Sequence, residues 1–200
     1  AKIETSVSNS FIEVYKKEII EGANQIAGDW GHQPLPYPTD DEIKTQINCP
    51  SMNCGRALCS EQFMSGIGFA NIFNKKNNTN FNSYEIVELD RQGDPRANLE
   101  FNLYEDRMAR LIAVMIGIFD PEAIILGGGM SNVERLYKNI SVLIQEYSQS
   151  RNITTEVKEE VKEEVKEEVK EEVKEDEPKT QKRYRTFKGI FESTESNGEC

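Results

Sequence analysis

The chain has 200 residues, 37% hydrophobic and 30% charged, with a formal net charge of -11. That length bounds the fold at one or two small domains, and the acidic balance argues against nucleic acid or an anionic membrane as the main partner. No apolar run is long enough to span a bilayer and no secretory signal is visible, so the expected location is the cytoplasm.

In chain order, Phe11 to Tyr15 and Glu18 to Ile20 read as two strands joined at Lys16-Lys17 in a hairpin. Gly22 to Thr39 carries Gly22, Gly28, Gly31, Pro34, Pro36 and Pro38, a composition that forces loops and turns. Asp40 to Gln46 reads as a short helix, Cys49 to Cys59 as a compact knuckle, and Glu61 to Phe73 has helical spacing. Asn74 to Asn82 reads as a polar loop.

Asp94-Pro95 then offers an N-cap followed by proline at the first helical position. Leu99, Leu103, Met108, Leu111, Ile112 and Met115 recur close to helical period until Phe119-Asp120-Pro121 stops the pattern. Ala123 to Leu126 is an apolar run of strand length, of the kind buried on both faces of a parallel sheet. Gly127-Gly128-Gly129 turns the chain, and Ser131 to Glu134 fits a capping box for a helix reaching Tyr147. Helix, buried strand, glycine turn and helix make an α/β unit.

After Asn152 the character changes. Glu156 to Glu177 holds 12 acids and 5 lysines, a local charge of -7. Val157, Val161, Val165, Val169 and Val173 recur every four residues. On an α-helix that period drifts by about 40° per repeat, so the valines wind around the rod instead of facing one partner. The expectation is a lobe over 1–150 and an acidic repeat over 151–177 forming a helical or disordered extension without a core of its own. A disordered tail follows over 178–200.

His32 is the only histidine, and it precedes Cys49, Cys54 and Cys59. Clustered cysteines without an export signal favour metal over disulfide. One imidazole and three thiolates make a closed tetrahedral zinc set, structural because no position is left for water. That set would pin the proline-rich loop to the knuckle over 32–59. The alternative is three buried or free thiols and a loop histidine.

Several segments together resemble one family. Gly22 to His32 reads GANQIAGDWGH and resembles the ROK-family segment G-A-N-x-I-A-G-E-W-G-H, with Pro34-Leu35-Pro36 continuing the match. Cys54 to Glu61 resembles the family's C-x-C-G-x-x-G-C-x-E signature. Gly93 to Ala97, Tyr104 to Arg110, Asp120 to Asn132 and Arg135 to Tyr137 look like its C-terminal lobe. Ordered motifs of this kind are more specific than any one alone.

The resemblance implies a truncated C-terminal lobe of the actin-like ATPase (ribonuclease H-like) fold, of the fructokinase type. Its chemistry would be phosphoryl transfer from ATP to a hexose hydroxyl, with fructose as the expected sugar. Asp29, His32 and Glu61 would contact the sugar, and Gly127, Gly128 and Gly129 would lie on the adenosine side. His32, Cys49, Cys54 and Cys59 would hold structural zinc.

Four positions depart from the family pattern. Asp29 replaces a glutamate, Met52 stands where the first zinc cysteine belongs, Leu58 replaces a glycine, and Ser8 to Ile12 stands where a glycine-rich stretch is expected. The family's phosphate loop and catalytic aspartate belong to an N-terminal lobe. Turnover with ATP and magnesium is therefore expected only with such a lobe supplied as a separate chain, and a homodimer is the other partner considered. The rival expectations are a zinc-stabilised sugar-binding or interaction module without catalysis, and a decayed remnant.

Overall fold

A computed structural model describes residues 2–6, 10–15, 18–19, 23–24, 30–45, 47–150 and 152–159. Its sheet has five strands in the order β3-β2-β1-β4-β5. These are β1 (Lys2–Ser6), β2 (Ser10–Tyr15), β3 (Glu18–Ile19), β4 (Ala123–Gly127) and β5 (Glu156–Glu159). The expected hairpin is β2 against β3, with Val14 opposite Ile19. β1 pairs antiparallel with β2 and parallel with β4, and β5 pairs parallel with β4 on its other side. A strand with neighbours on both edges and helices near its faces is selected for apolar residues throughout, which is why Ala-Ile-Ile-Leu sits at β4.

Six helices complete the described architecture: α1 (Asp40–Lys44), α2 (Ser60–Met64), α3 (Gly66–Asn77), α4 (Ser83–Arg91), α5 (Pro95–Phe119) and α6 (Arg135–Tyr147). The helical stretch expected over 61–73 is two helices. Ser65 takes an extended conformation between them, and its hydroxyl accepts from the Gly68 amide at 3.0 Å. A Cβ at Gly68 would lie 2.0 Å from the Gln62 carbonyl oxygen, so glycine permits this close turn.

α3 runs on through Asn74–Asn77, where a loop was expected, and stops at Asn78 in the left-handed region. α4 falls in a stretch of mixed polarity where no element is expected from the sequence. Its start is nevertheless written as a reciprocal cap: Asn82 accepts from the Glu85 amide, and the Glu85 carboxylate accepts from the Asn82 amide.

α5 is the central helix, and it begins as expected at Asp94, whose carboxylate accepts from the Arg96 amide at 2.8 Å. Leu99, read as part of its apolar face, is exposed, and Phe101 is buried instead. Phe69, Phe101 and Tyr104 pack as tilted and edge-on rings in the core, and the Tyr104 hydroxyl donates to the Met64 carbonyl.

α1 and the proline-rich loop are fastened to α5 by charge. Glu42 accepts from Arg107 Nε at 2.8 Å and from both Arg110 terminal nitrogens, and Arg110 also donates to the Pro36 and Tyr37 carbonyls. Glu100 accepts from Arg107 and Lys76.

Two expectations for the C-terminal third need correction. The Ser131 hydroxyl does not cap α6; it donates to the Gly128 carbonyl at 2.6 Å, closing a 3-10 turn over Gly129–Asn132. α6 starts without a side-chain cap. It is tied down through Arg135, which reaches Glu105 on α5 and Asp90 on α4. Secondly, the first copy of the acidic repeat is β5, a strand of the lobe and not a helix, with Val157 packed against the core. The rest of the repeat and the tail, 160–200, lie outside the described residues.

Candidate functional site

The site is assembled by short backbone pairings between two loops. Leu35 N–H donates to the Leu58 carbonyl and Ser60 N–H to the Gln33 carbonyl, forming a one-residue bridge between Pro34 and Cys59. Cys49 N–H donates to the Arg56 carbonyl beside a second bridge, Asn48 to Ala57. These contacts bring His32 and all three cysteines together from a separation of up to 27 residues.

The four potential ligand atoms lie within 4.8 Å of one another. His32 Nδ1 is 3.5 Å from Cys59 Sγ and 3.7 Å from Cys49 Sγ, and the Cys54 and Cys59 sulfurs are 3.7 Å apart. A tetrahedron with Zn–S of about 2.3 Å and Zn–N of about 2.05 Å has S···S edges of about 3.8 Å and S···N edges of about 3.6 Å. These three separations fit that ion and donor set.

Cys49 lies beside His32, whereas the Met52 side chain, at the position where the family pattern has a cysteine, is fully exposed. Leu58, at the pattern's glycine, sits in the left-handed region at φ 56°, so the backbone keeps the shape that glycine would serve there.

The thiols differ in their surroundings. Burial pushes the Cys59 thiol up to about 12 and also raises Cys49, while the Arg56 amide beside Cys54 lowers that one. Two buried thiols would thus be protonated near neutrality, and only a bound cation would make three adjacent thiolates favourable.

Of the three sugar-contacting candidates, two are brought together. The Glu61 amide donates to the Gly31 carbonyl at 2.6 Å, setting buried Glu61 at the start of α2 next to the His32 loop. His32 directs Nδ1 to the sulfurs, which turns Nε2 to the opposite side of the ring. Asp29 lies outside the described residues.

The glycine triplet stands apart from this cluster in the sequence, at the carboxyl end of β4. Gly127 pairs with Ser6 of parallel β1, and Gly128 has φ 85°, a conformation suited to glycine. Carboxyl ends of parallel strands are where open α/β sheets receive ligands. Among the described residues, no helix is long and apolar enough to cross a membrane.

A family model described as "ROK family" matches residues 13–171. The chain is 30% identical over 122 residues to an N-acetyl-D-glucosamine kinase from Yersinia enterocolitica, a match covering 61% of this chain and 40% of the relative. The chain thus spans about two fifths of the length of the curated relatives it matches. Among solved structures it is similar to a ROK hexokinase from Thermus thermophilus, with TM-score 0.64 and 19% identity over 79% of this chain and 50% of the other.

It is also similar to a ROK family glucokinase from Streptomyces griseus solved with glucose and AMPPNP. Here the TM-score is 0.63 at 21% identity, over 79% of this chain and 54% of the other. At such identity the likeness is one of fold, the actin-like ATPase fold. These names point to N-acetylglucosamine and glucose, and fructose is not singled out among them.

Proposed function

The chain belongs to the ROK family, and on that premise we propose that residues 1–150 are the sugar-binding lobe of a cytoplasmic hexose kinase. Asp29, His32 and Glu61 contact the sugar hydroxyls. Carboxylates accept from vicinal hydroxyls, and the imidazole meets the sugar through Nε2 while Nδ1 faces the cysteines. His32, Cys49, Cys54 and Cys59 hold a structural zinc that fixes the ring's orientation. Gly127, Gly128 and Gly129 lie against the adenosine part of ATP.

The observation that carries this reading is the shared loop: one turn at Trp30–Gln33 supplies both the imidazole over the sulfurs and the carbonyl that anchors Glu61. Phosphoryl transfer with ATP and magnesium also needs a phosphate loop and a general base, which the family resemblance assigns to an N-terminal lobe. The relatives' names favour an aldohexose, N-acetylglucosamine or glucose; fructose is the finer alternative.

The test is calorimetric titration of the zinc-loaded chain with each of the three sugars, repeated with Asp29→Ala and Glu61→Ala. One sugar should bind and both variants should weaken it at least tenfold. Equal binding by Glu61→Ala would remove that residue from the site, and silence toward all three sugars would refute the sugar-lobe assignment. Addition of a family N-terminal lobe with ATP and magnesium then separates turnover from binding alone.

A further inference from the structure

Three segments far apart in sequence meet at the glycine turn after β4. Gly66 opens α3, Ser83 and Tyr84 open α4, and Gly128 leads into the 3-10 turn at Gly129. A Cβ on Gly66 would lie 3.1 Å from Ser83 Oγ and 3.7 Å from Met130 Sδ. A Cβ on Gly129 would lie 3.3 Å from the Tyr84 hydroxyl oxygen. Among the described residues, nothing else beyond its chain neighbours comes within 4 Å of that second position. The exposed backbone of the turn is therefore bare except where the tip of Tyr84 reaches it.

The turn itself is fixed by side chains. The Ser131 hydroxyl donates to the Gly128 carbonyl at 2.6 Å, the Asn132 amide to the Gly129 carbonyl at 3.0 Å, and the Tyr137 hydroxyl to the Ser131 carbonyl at 2.6 Å. Tyr84 is different. It is 73% exposed, and among the described residues no hydrogen bond or ring contact holds it. Ile67, beside Gly66 in the chain, is a second exposed apolar side chain. An aromatic ring left in water beside a bare, rigid backbone offers its face to a planar partner.

We infer that Tyr84 contacts the nucleobase: the purine of ATP stacks on the exposed ring, and the ribose lies over Gly128 and Gly129. This inference rests on the assignment of the glycine triplet to the adenosine side, and it adds the side chain that a turn of glycines lacks. It also gives Gly129 a reason to be glycine. Gly128 has a left-handed φ of 85°, but Gly129 does not, so its backbone alone makes no demand for glycine. The space beside Tyr84 does, because a methyl group at 129 would crowd the hydroxyl and cover the backbone on which the ribose lies. Stacking of a base on an aromatic side chain is worth about 5- to 150-fold in affinity.

The test uses the full chain with magnesium-ATP and, in parallel, inorganic tripolyphosphate, which has no base. The Tyr84 ring protons, identified in the NMR spectrum by their absence from Tyr84→Phe, should move upfield with ATP and stay in place with tripolyphosphate. By calorimetry, Tyr84→Ala should weaken ATP binding about tenfold. Tyr84→Phe should restore it, since the ring stacks without its hydroxyl. An unmoved Tyr84 ring at saturating ATP overturns the contact. Gly129→Ala separates this inference from the assignment beneath it. Weakened binding in Gly129→Ala with parental binding in Tyr84→Ala keeps the glycine turn against the nucleotide and overturns the role of Tyr84. Parental binding in both variants, or no ATP binding by the parent chain, overturns both.

Discussion

Glu42 holds the proline-rich loop and α1 against α5, and its removal should be among the most damaging single changes outside the apolar core. The carboxylate is 4% exposed and faces two guanidiniums that are each 2% exposed. It also accepts from the Thr39 amide at 2.8 Å as half of the α1 capping box. In Glu42→Ala both arginines stay buried with less compensation, a situation that costs about 3–5 kcal/mol. Arg107 keeps Glu100, and Arg110 keeps Asp106 and two carbonyls, so the loss belongs near 3 kcal/mol.

Glu42→Gln retains an acceptor and loses the charge, which places it near 2 kcal/mol. The assay is urea unfolding at constant m-value. The acid side adds a second reading. Burial pushes the Glu42 carboxyl up, but hydrogen bonds from Arg110, the Thr39 amide and Arg107 outweigh that and hold it below its ordinary value of 4.5. Its contribution is therefore complete above that value and is lost as pH falls through it toward the lower folded-state value. Glu42→Gln should flatten this limb of the stability profile. A Glu42→Ala protein within about 1 kcal/mol of the parent, with an unchanged acid limb, would refute the reasoning, since a buried guanidinium pair left short of a carboxylate cannot be that cheap.

Two further outcomes are expected. Metal analysis of the purified chain should find one zinc per molecule; Cys49→Ala should lose it while Met52→Ala keeps it, and binding should weaken as pH falls because protons return to the raised Cys59 and Cys49 thiols. Gly68→Ala should destabilise by about 2–3 kcal/mol in thermal or urea unfolding, because its Cβ would meet the backbone oxygen of Gln62, and α2 and α3 would have to separate.

Much of the lobe is written locally. The hairpin of β2 and β3, the Asp94-Pro95 start of α5, the apolar run of β4 and the end of α6 at Tyr147 follow from turn chemistry and side-chain period, which act over a few residues. The candidate metal set was legible too, since four ligands of fitting chemistry have few other reasons to cluster. α4 was missed because its mixed polarity shows no clear apolar period, although Asn82 and Glu85 carry a local capping signal.

Tertiary structure decided the rest. That Cys49 and not position 52 faces His32 depends on the bridges at Pro34 and Asn48, which are long-range pairings. Leu58 accepts a left-handed backbone because the surrounding hydrogen bonds fix it. Glu42 finds Arg107 and Arg110 across more than 60 residues, a relation no local pattern encodes. β5 is the clearest case. Glu-Val-Lys-Glu has no strand signal of its own and reads as helix or coil, yet the unpaired backbone along one edge of β4 accepts it, because a sheet edge selects by hydrogen bonding before side chain.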